Sequence, residues 1–443
     1  MRRSLSLACL VLVLICALPD RAATANLGQV RPARGFPFAA TPAFFGGLSA
    51  KDRMANFEKI WHSIQNNYYD PGLNGVNWDE VRQRYRPQVE ALTSDQDFYK
   101  LMERMTSELH DAHTHVLPPA VAETFKKRKM VDPGIRVDEF EGKLVITELE
   151  AGSGAEKAGI APGMSIATVN GRPVAEKLAE NAAKMTESSS ARATRIRLYA
   201  SVLGGAPGTT TRLGLLRADG SPFETAVTRG TDGLNAQLSA RLLPSGYAYI
   251  HFNVFYPPVA GQFQDALEKF DHAPGLIIDL RWNPGGSGEE LMAIAGSFFS
   301  AKTVFARNKL RTRDTRPIYV EHRNGPVYDG PVVILVNQYS GSSSELFAGG
   351  MQEAGRARVV GSQTCGCVLG VSHPVELKGG GLVMISKVLW FTPAGRKLEG
   401  EGVIPDKTVT PTLSDIVEKR DPVLAAGEQL LQEMLATNKQ AKQ

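Results

Sequence analysis

The sequence feature that most constrains the fold is residues 331–361, PVVILVNQYSGSSSELFAGGMQEAGRARVVG. The run PVVILVN is short, apolar and β-branched, which predicts a strand buried on both faces. The segment SELFAGGMQEAG repeats apolar residues at helical spacing and stops at a glycine, which predicts a helix. A serine-rich turn joins the two, so the chain must pass directly from a buried strand through a tight turn into a helix.

Two interpretations of this turn are open. A serine on a sharp strand-to-helix turn presents its hydroxyl outward, while the first amides of the helix point at any oxyanion beside it, as in acyl-transfer enzymes. Alternatively, Ser342 and Glu345 match the S-x-x-E pattern of a capping box, and the serine only caps the helix. The turn by itself does not decide between them.

The length of 443 residues and the ordinary composition predict a globular protein of two to four domains. Its 50 basic and 46 acidic residues nearly balance, and no basic run is present. We therefore expect no nucleic-acid partner and no electrostatic attraction to a membrane surface.

Residues 1–25 have the pattern of a secretory signal: Arg2 and Arg3, an apolar stretch over 5–18, and a small-residue cleavage motif ending at Ala25. The apolar stretch is short for a membrane span. We expect cleavage, an exported protein in the periplasm or outside the cell, and no stable membrane association afterwards. Residues 26–50, rich in Pro, Gly and Ala, are predicted to be an extended arm.

Only two of the four cysteines, Cys365 and Cys367, would remain after removal of the signal. Cysteines with a single residue between them rarely satisfy the geometry of a disulfide. We expect thiols or an unusual bridge at this site, and stability that comes from the apolar core.

Residues 51–130 show helical periodicity and are predicted to form a small helical domain. Its third helix, capped by Ser94, leads into a cluster that holds Asp111 and three histidines, His110, His113 and His115. The cluster is compatible with a metal site, a general base or a polar loop. Because no other His- or Cys-rich segment supplies a further ligand, we expect no metal and no cofactor.

Residues 131–230 form a β-rich unit that resembles a PDZ domain. Gly134, Ile135, Arg136 and Val137 take the place of the carboxylate-binding loop, and SGAEKAGIAPGMSIATVNG matches the helix–turn–strand segment. Such domains bind a peptide C-terminus as an added strand. The unit could instead be a spacer or lid, and an insertion over 179–203 could cover its groove.

Residues 231–435 alternate apolar strands with helical segments, which predicts an α/β domain followed by a polar tail over 436–443. Three of its motifs, LRWNPGG (280–286), SSSE (342–345) and EGEGVIPD (399–406), resemble those of C-terminal processing (tail-specific) peptidases and the tricorn core. The resemblance implies an α/β fold with a crotonase-like (ββα) catalytic core, an N-terminal helical domain and a PDZ-like domain, and serine endopeptidase chemistry.

The same resemblance implies a nucleophile at Ser342, with Ser344 as the alternative, and oxyanion donors at the amides of Gly286 and Ser343. In the processing-peptidase branch a lysine lies 25 residues after the nucleophile, but this chain has Cys367 there. No Ser-Lys dyad can operate at that position, because a thiol does not replace an amine of tuned pKa.

The tricorn-like branch uses a histidine instead, and the match places that base at His113 and its carboxylate partner at Glu399. Tricorn has a serine just before its histidine, whereas this chain has Ala112. The sequence thus predicts a secreted serine endopeptidase that recognises protein or peptide substrates, through their C-termini. The alternatives are a non-catalytic PDZ protein that only binds peptides, and a metal-dependent hydrolase centred on the histidines.

Overall fold

The computed structural model describes residues 47–126, 134–150, 152–205, 208–230, 236–322 and 327–441. The predicted signal and nearly all of the predicted arm lie outside these ranges. Within them, none of the helices has the length and apolar character needed to cross a membrane. The fold is mixed α/β, with helices and several sheets.

The N-terminal region is mainly helical, as its periodicity predicts. Its elements are α1 (Ala50–Asn67), a 3-10 turn (Leu73–Gly75), α2 (Trp78–Glu90), α3 (Asp95–Ser107), β1 (His115–Leu117) and α4 (Pro119–Lys126). Ser94 caps α3, because its hydroxyl accepts the Asp97 amide at 3.1 Å. The apolar stripe predicted for α1 is buried at Phe57, Ile60 and Ile64.

The next region is a single antiparallel sheet flanked by short helices. Its elements are β2 (Ile135–Phe140), β3 (Lys143–Leu149), α5 (Gly154–Lys157), β4 (Ser165–Val169), β5 (Arg172–Pro173), α6 (Val174–Ala182), α7 (Ala191–Leu203), β6 (Thr210–Leu216) and β7 (Pro222–Thr228). The strand order is β2-β3-β4-β6-β7, which leaves β2 at one edge. The α6–α7 pair fills the insertion noted in the sequence.

The remaining described residues form the largest unit. Its strands are β8 (Leu238–Leu242), β9 (Ala248–Phe252), β10 (Leu276–Asp279), β11 (Thr303–Leu310), β12 (Arg316–Val320), β13 (Val332–Val336), β14 (Arg358–Gly361), β15 (Gly370–Val371), β16 (Val375–Glu376), β17 (Leu382–Met384), β18 (Ser386–Phe391) and β19 (Lys407–Thr408). Its helices are α8 (Val259–Lys269), α9 (Gly288–Gly296), α10 (Ser343–Glu353), α11 (Leu413–Val417) and α12 (Pro422–Ala441), with a 3-10 turn at Lys378–Gly380.

The main sheet has the order β19-β14-β13-β10-β9-β8, in which only β8 runs antiparallel. The central strand β13 is buried at every position, as predicted for PVVILVN. Its alternate residues serve two cores: Val332, Ile334 and Val336 pack with α8, α9 and α10, whereas Val333 and Leu335 pack with α12. A parallel strand covered by helices on both faces is apolar throughout for this reason.

The topology collects loops from distant parts of the chain. Strands β10, β13 and β14 are parallel neighbours, so the loops that follow them emerge at the same edge of the sheet. The helical region joins this edge because β1 pairs antiparallel with β17, His115 lying opposite Met384. Its apolar core continues into the large unit at Leu369, Val383 and Ile385.

Candidate active site

The turn between β13 and α10 holds Ser342 in a conformation that side chains rarely adopt, with φ 48° and ψ −110°. Its amide is nevertheless well satisfied, because the Glu345 carboxylate accepts it at 3.0 Å and the Cys367 carbonyl at 3.1 Å. The Ser342 hydroxyl is buried and has no hydrogen-bond partner. The serine thus stands at the N-cap of α10 without using its side chain as the cap.

The neighbouring serines use their hydroxyls to brace the turn. Ser344 donates to the Asn283 carbonyl at 2.8 Å, and Ser343 donates to the Gly286 carbonyl at 2.8 Å. The second bond brings together the two residues that the sequence nominates as oxyanion donors. It also leaves Ser342 as the one serine of the three whose hydroxyl is uncommitted.

Gly286 occupies a place that only glycine can take. Its φ is 143°, and a Cβ there would lie 2.4 Å from the Phe255 carbonyl oxygen. This close approach packs the backbone of the loop after β10 against Phe255, which lies in the segment after β9. The Ser287 amide donates a hydrogen bond to the same Phe255 carbonyl at 2.6 Å. The Pro-Gly-Gly turn is therefore rigidly placed beside the Ser342 turn.

The buried Glu345 carboxylate ties the Ser342 turn to the loop that follows β14. It accepts hydrogen bonds from the Thr364 hydroxyl at 2.6 Å and from the amides of Gly366 at 2.7 Å and Cys367 at 3.1 Å. Burial raises its pKa to about 7, although these hydrogen bonds lower it. The sequence identified Glu345 only as a capping residue, and its wider role depends on loops that meet in space.

Cys365 and Cys367 form a disulfide, with 5.3 Å between their Cα atoms. Of the two outcomes expected from the sequence, the structure thus has the bridge and not the thiols. A Cβ at Gly341 would lie 3.4 Å from the Cys367 sulfur, which places the bridge against the backbone just before Ser342. The position at which the processing branch carries lysine is therefore filled by half of a disulfide.

The loop that carries His113 is folded by Asp111. One oxygen of this buried carboxylate accepts the amides of His113 at 2.7 Å and Thr114 at 2.6 Å, and also the Ser386 hydroxyl at 3.0 Å. The last bond fixes the loop to β18 of the large unit. Asp111 therefore positions the backbone of His113.

Replacing Asp111 with alanine should reduce the free energy of unfolding by about 3 kcal/mol, because it leaves two buried amides without an acceptor. Urea denaturation measures this change. Asp111→Asn, which keeps an acceptor oxygen, should reduce the free energy of unfolding much less. A loss below about 0.5 kcal/mol in Asp111→Ala would contradict the role assigned to this carboxylate.

The three histidines of the cluster do not share an environment. His113 and His115 are buried, whereas His110 is exposed and its ring nitrogen lies 3.3 Å from the Glu187 carbonyl. In the described residues, no group of three His, Cys, Asp or Glu side chains is arranged to hold a metal ion. Burial lowers the pKa of His113 to about 4, and the Asp111 carboxylate opposes that shift.

Glu399 is buried in the loop before β19, and the Val368 amide donates to it at 2.6 Å. Burial raises its pKa to about 8, the carboxylates of Asp111 and Glu345 contribute to the rise, and hydrogen bonds from Ser189 and Val368 partly offset it. His113 Nδ1 is buried and has no hydrogen-bond partner, so Glu399 does not bond to this nitrogen directly. The structure thus shows no hydrogen bond at Nδ1 through which Glu399 would orient His113.

The predicted peptide-binding residues lie at the start of the edge strand β2. Gly134 has φ 73°, and a Cβ there would lie 2.3 Å from that of Ser153. Ile135 and Val137 are buried, and Arg136 is half-buried. The Tyr339 hydroxyl donates to the Val137 carbonyl, and Gln338 donates to Asp138 at 2.7 Å. The edge strand therefore contacts the segment just before the Ser342 turn.

Two protein-family models match this chain. The model for peptidase family S41 matches residues 246–409, which include Gly286, Ser342 and Glu399, and the model for the tricorn protease C1 domain matches residues 49–107. This protein is a serine-type peptidase. The S41 match covers the large unit from β9 to β19, and the C1 match covers the first three helices.

Curated relatives of this chain are named as peptidases or proteases. This serine-type peptidase is 28% identical over 379 residues to a carboxyl-terminal-processing protease of Synechocystis, with 82% of each chain covered. It is 27% identical to carboxyl-terminal-processing peptidase 3 of Arabidopsis thaliana, covering 83% of this chain and 72% of the relative. A putative tricorn protease homolog of Streptomyces coelicolor is 26% identical, covering 86% of this chain and 32% of the homolog.

Solved structures share the fold at lower identity. The photosystem II D1 C-terminal processing protease aligns with a TM-score of 0.58 and 21% identity, over 83% of this chain and 96% of that chain. Mature CPAF in complex with lactacystin aligns with a TM-score of 0.61 and 16% identity, over 88% of this chain and 98% of that chain. These likenesses support the mixed α/β fold.

Proposed function

We propose that this serine-type peptidase is an exported endopeptidase in which Ser342 is the nucleophile and His113 is the general base. In the proposed reaction, Ser342 Oγ attacks a peptide carbonyl while His113 accepts its proton. The imidazole then gives that proton to the leaving amine, and water hydrolyses the acyl-enzyme by the same route. The amides of Gly286 and Ser343 are proposed to stabilise the oxyanion.

The observation that carries this assignment is the state of the Ser342 side chain. It lies at the N-terminus of α10 on a backbone that costs energy to hold, and its hydroxyl is buried without a partner. A serine that served only as a cap would bond its hydroxyl to the helix and would need no unusual φ. An unpaired, rigidly held hydroxyl is what nucleophilic attack requires.

The choice of base follows from the residues around the turn. Position 367, where a lysine base would lie, is occupied by a disulfide cysteine. His113 is buried, has an unpartnered Nδ1 and a lowered pKa, and is therefore neutral at physiological pH. A neutral imidazole can accept the serine proton, and a charged Glu399 would stabilise the imidazolium that results.

Substrate recognition is proposed to involve the PDZ-like sheet. β2 is an edge strand that follows Gly134, so an extended peptide could add to it and place its C-terminal carboxylate near Gly134. The contact between Val137 and Tyr339 links this strand to the nucleophile turn. The relatives named as carboxyl-terminal-processing proteases support recognition of C-termini. Export is proposed from the signal-like residues 1–25.

Labelling with a fluorophosphonate probe tests the assignment of Ser342 and His113. The wild-type protein, expressed from residue 26, should be labelled covalently at Ser342, because the probe reports an activated serine hydroxyl. Ser342→Ala should not be labelled at all, and His113→Ala should be labelled at least about 10³-fold more slowly.

The matched control is Ser344→Ala, which tests the alternative nucleophile of the same turn. This variant should still be labelled, since the Ser344 hydroxyl is committed to the Asn283 carbonyl. Peptide mapping that placed the label on another residue would overturn the assignment. So would a folded wild-type protein that does not react, a result expected of a scaffold that only binds peptides.

A further inference from the structure

A short segment that links α6 to α7 crosses over the proposed catalytic residues. This strap, residues 186–192, has the sequence TESSSAR. It belongs in sequence to the PDZ-like region, yet it contacts the His113 loop, the disulfide loop and the loop that carries Glu399. Neither family model covers the strap, because the S41 match spans residues 246–409 and the C1 match spans residues 49–107.

The strap is fastened at both ends. At one end, the Glu187 carbonyl lies 3.3 Å from the His110 ring nitrogen. At the other, Ser190 donates to the Cys365 carbonyl at 2.5 Å, and Arg192 donates to the carbonyls of Thr364 and Glu401, each at 2.6 Å. These bonds to backbone carbonyls hold the strap in a defined position.

Ser189 lies between these two ends and faces the catalytic residues. Its hydroxyl oxygen accepts the Ala112 amide at 2.9 Å, so it holds the peptide immediately before His113. A Cβ on Gly400 would lie 3.3 Å from the Ser189 carbonyl oxygen, which places Ser189 beside the residue that follows Glu399. A hydrogen bond from Ser189 also lowers the pKa of Glu399. Ser189 therefore lies between the His113 loop and the loop that carries Glu399.

This link supplies what the two residues otherwise lack. His113 Nδ1 has no partner, and Glu399 does not bond to it directly. The Asp111 contacts fix the His113 backbone from one side, and the Ala112–Ser189 bond fixes it from the other. Glu399 is held by the Val368 amide, and the residue after it lies against Ser189. Ser189 therefore contacts both the loop of the proposed base and the loop of its proposed carboxylate partner.

We infer that Ser189 is a positioning residue for the reaction, which holds the His113 backbone in place against the loop that carries Glu399. The inference rests on the proposed roles of Ser342, His113 and Glu399. It assigns to the α6–α7 insertion a part in completing the active site, beyond any part in peptide binding.

The test is saturation kinetics of fluorophosphonate labelling on the mature full-length chain. Ser189→Ala should lower the maximal labelling rate roughly 10–100-fold, the effect expected when a base is slightly misplaced. The probe concentration at half-saturation should stay within about twofold, since Ser189 does not touch the probe site. Ser189→Thr, which retains the hydroxyl, should recover most of the rate.

Two variants on the same strap distinguish a specific role of the Ser189 hydroxyl from a general role of the strap. Ser188→Ala removes a buried hydroxyl that has no partner, and it should label like the wild type. Ser190→Ala weakens the strap's bond to Cys365 but keeps the hydroxyl of Ser189. An equal loss in Ser190→Ala and Ser189→Ala would mean that the strap matters only as a whole, and the inference would be wrong.

The failures of the two proposals are distinguishable. Wild-type protein that does not label would overturn the proposed nucleophile and base. Wild-type labelling that Ser189→Ala leaves unchanged would overturn only the positioning role. If Ser189→Ala does not fold, Ser189→Cys takes its place, because a thiol nearly matches the hydroxyl in size but is a weak donor and acceptor. A labelling rate like that of the wild type in Ser189→Cys would then contradict the inference.

Discussion

Replacing Ser342 with alanine should reduce peptide hydrolysis by roughly 10⁵-fold or more, the largest effect of any single substitution in this protein. The variant loses the only hydroxyl of the turn that is free to attack, while the side chain of Ser343 continues to hold the Gly286 loop. Fluorescein-labelled casein provides the activity measurement, and residual hydrolysis would report the oxyanion donors and substrate binding alone.

Stability provides the control for this result. Ser342 Oγ makes no hydrogen bond, so the free energy of unfolding of Ser342→Ala should lie within about 0.5 kcal/mol of that of the wild type. Ser344→Ala should show the opposite pattern, since it loses a buried hydrogen bond worth about 1 kcal/mol but keeps most of the activity. Normal casein hydrolysis by Ser342→Ala would exclude it as the nucleophile.

Replacing His113 with alanine should lower kcat by roughly 10⁴-fold or more, because the variant loses the proposed acceptor of the Ser342 proton. The double variant with Ser342→Ala should have a kcat only slightly below that of either single variant, as expected for residues that act as a unit. His110→Ala is the matched control, because this exposed histidine of the same cluster should be dispensable. Activity that is lost in His110→Ala and kept in His113→Ala would reverse the assignment.

The pH dependence follows from the same two groups. Since the pKa of His113 is lowered to about 4, its imidazole is neutral and able to accept a proton from about pH 5 upward. Since the pKa of Glu399 is raised to about 8, its negative charge is lost as the pH falls below that value. We therefore expect kcat/KM to decrease from about pH 9 to pH 6 in the wild type.

The variant Glu399→Gln cannot lose that charge. Its kcat/KM should be lower than that of the wild type at about pH 9 and nearly constant down to about pH 6, with a decrease only near pH 4 where His113 becomes protonated. If kcat/KM of Glu399→Gln decreased with falling pH as it does in the wild type, another group would be responsible for the titration. The same buried carboxylate should make the folded wild type progressively less stable as pH rises from about 4.5 to about 8, because the unfolded chain ionises there while the folded state retains the proton.

Local order could be predicted from the sequence because it depends on nearby residues. The strand β13 and the helix α10 lie where the apolar patterns of PVVILVN and SELFAGGMQEAG place them, since a buried parallel strand must be apolar on both faces. The cap at Ser94 also follows from local chemistry. The domain boundaries remain predictions.

The active-site network depends on contacts between distant segments, which no local pattern encodes. The sequence alone could not show that the hydroxyl of Ser342 is free while Ser344 bonds to the Asn283 carbonyl. The Cys365–Cys367 bridge was only one of two outcomes compatible with the spacing.

Ser189 is the clearest case of this difference. It lies 77 residues from Ala112 along the chain and carries no motif, so its hydroxyl could be recognised only where the strap crosses the site. The sequence determined which elements form and which residue types could carry the chemistry, because those properties follow from side chains acting locally. Which hydroxyl is free, which carboxylate is shared and which segment completes the site were decided by tertiary packing, because hydrogen bonds depend on position in space.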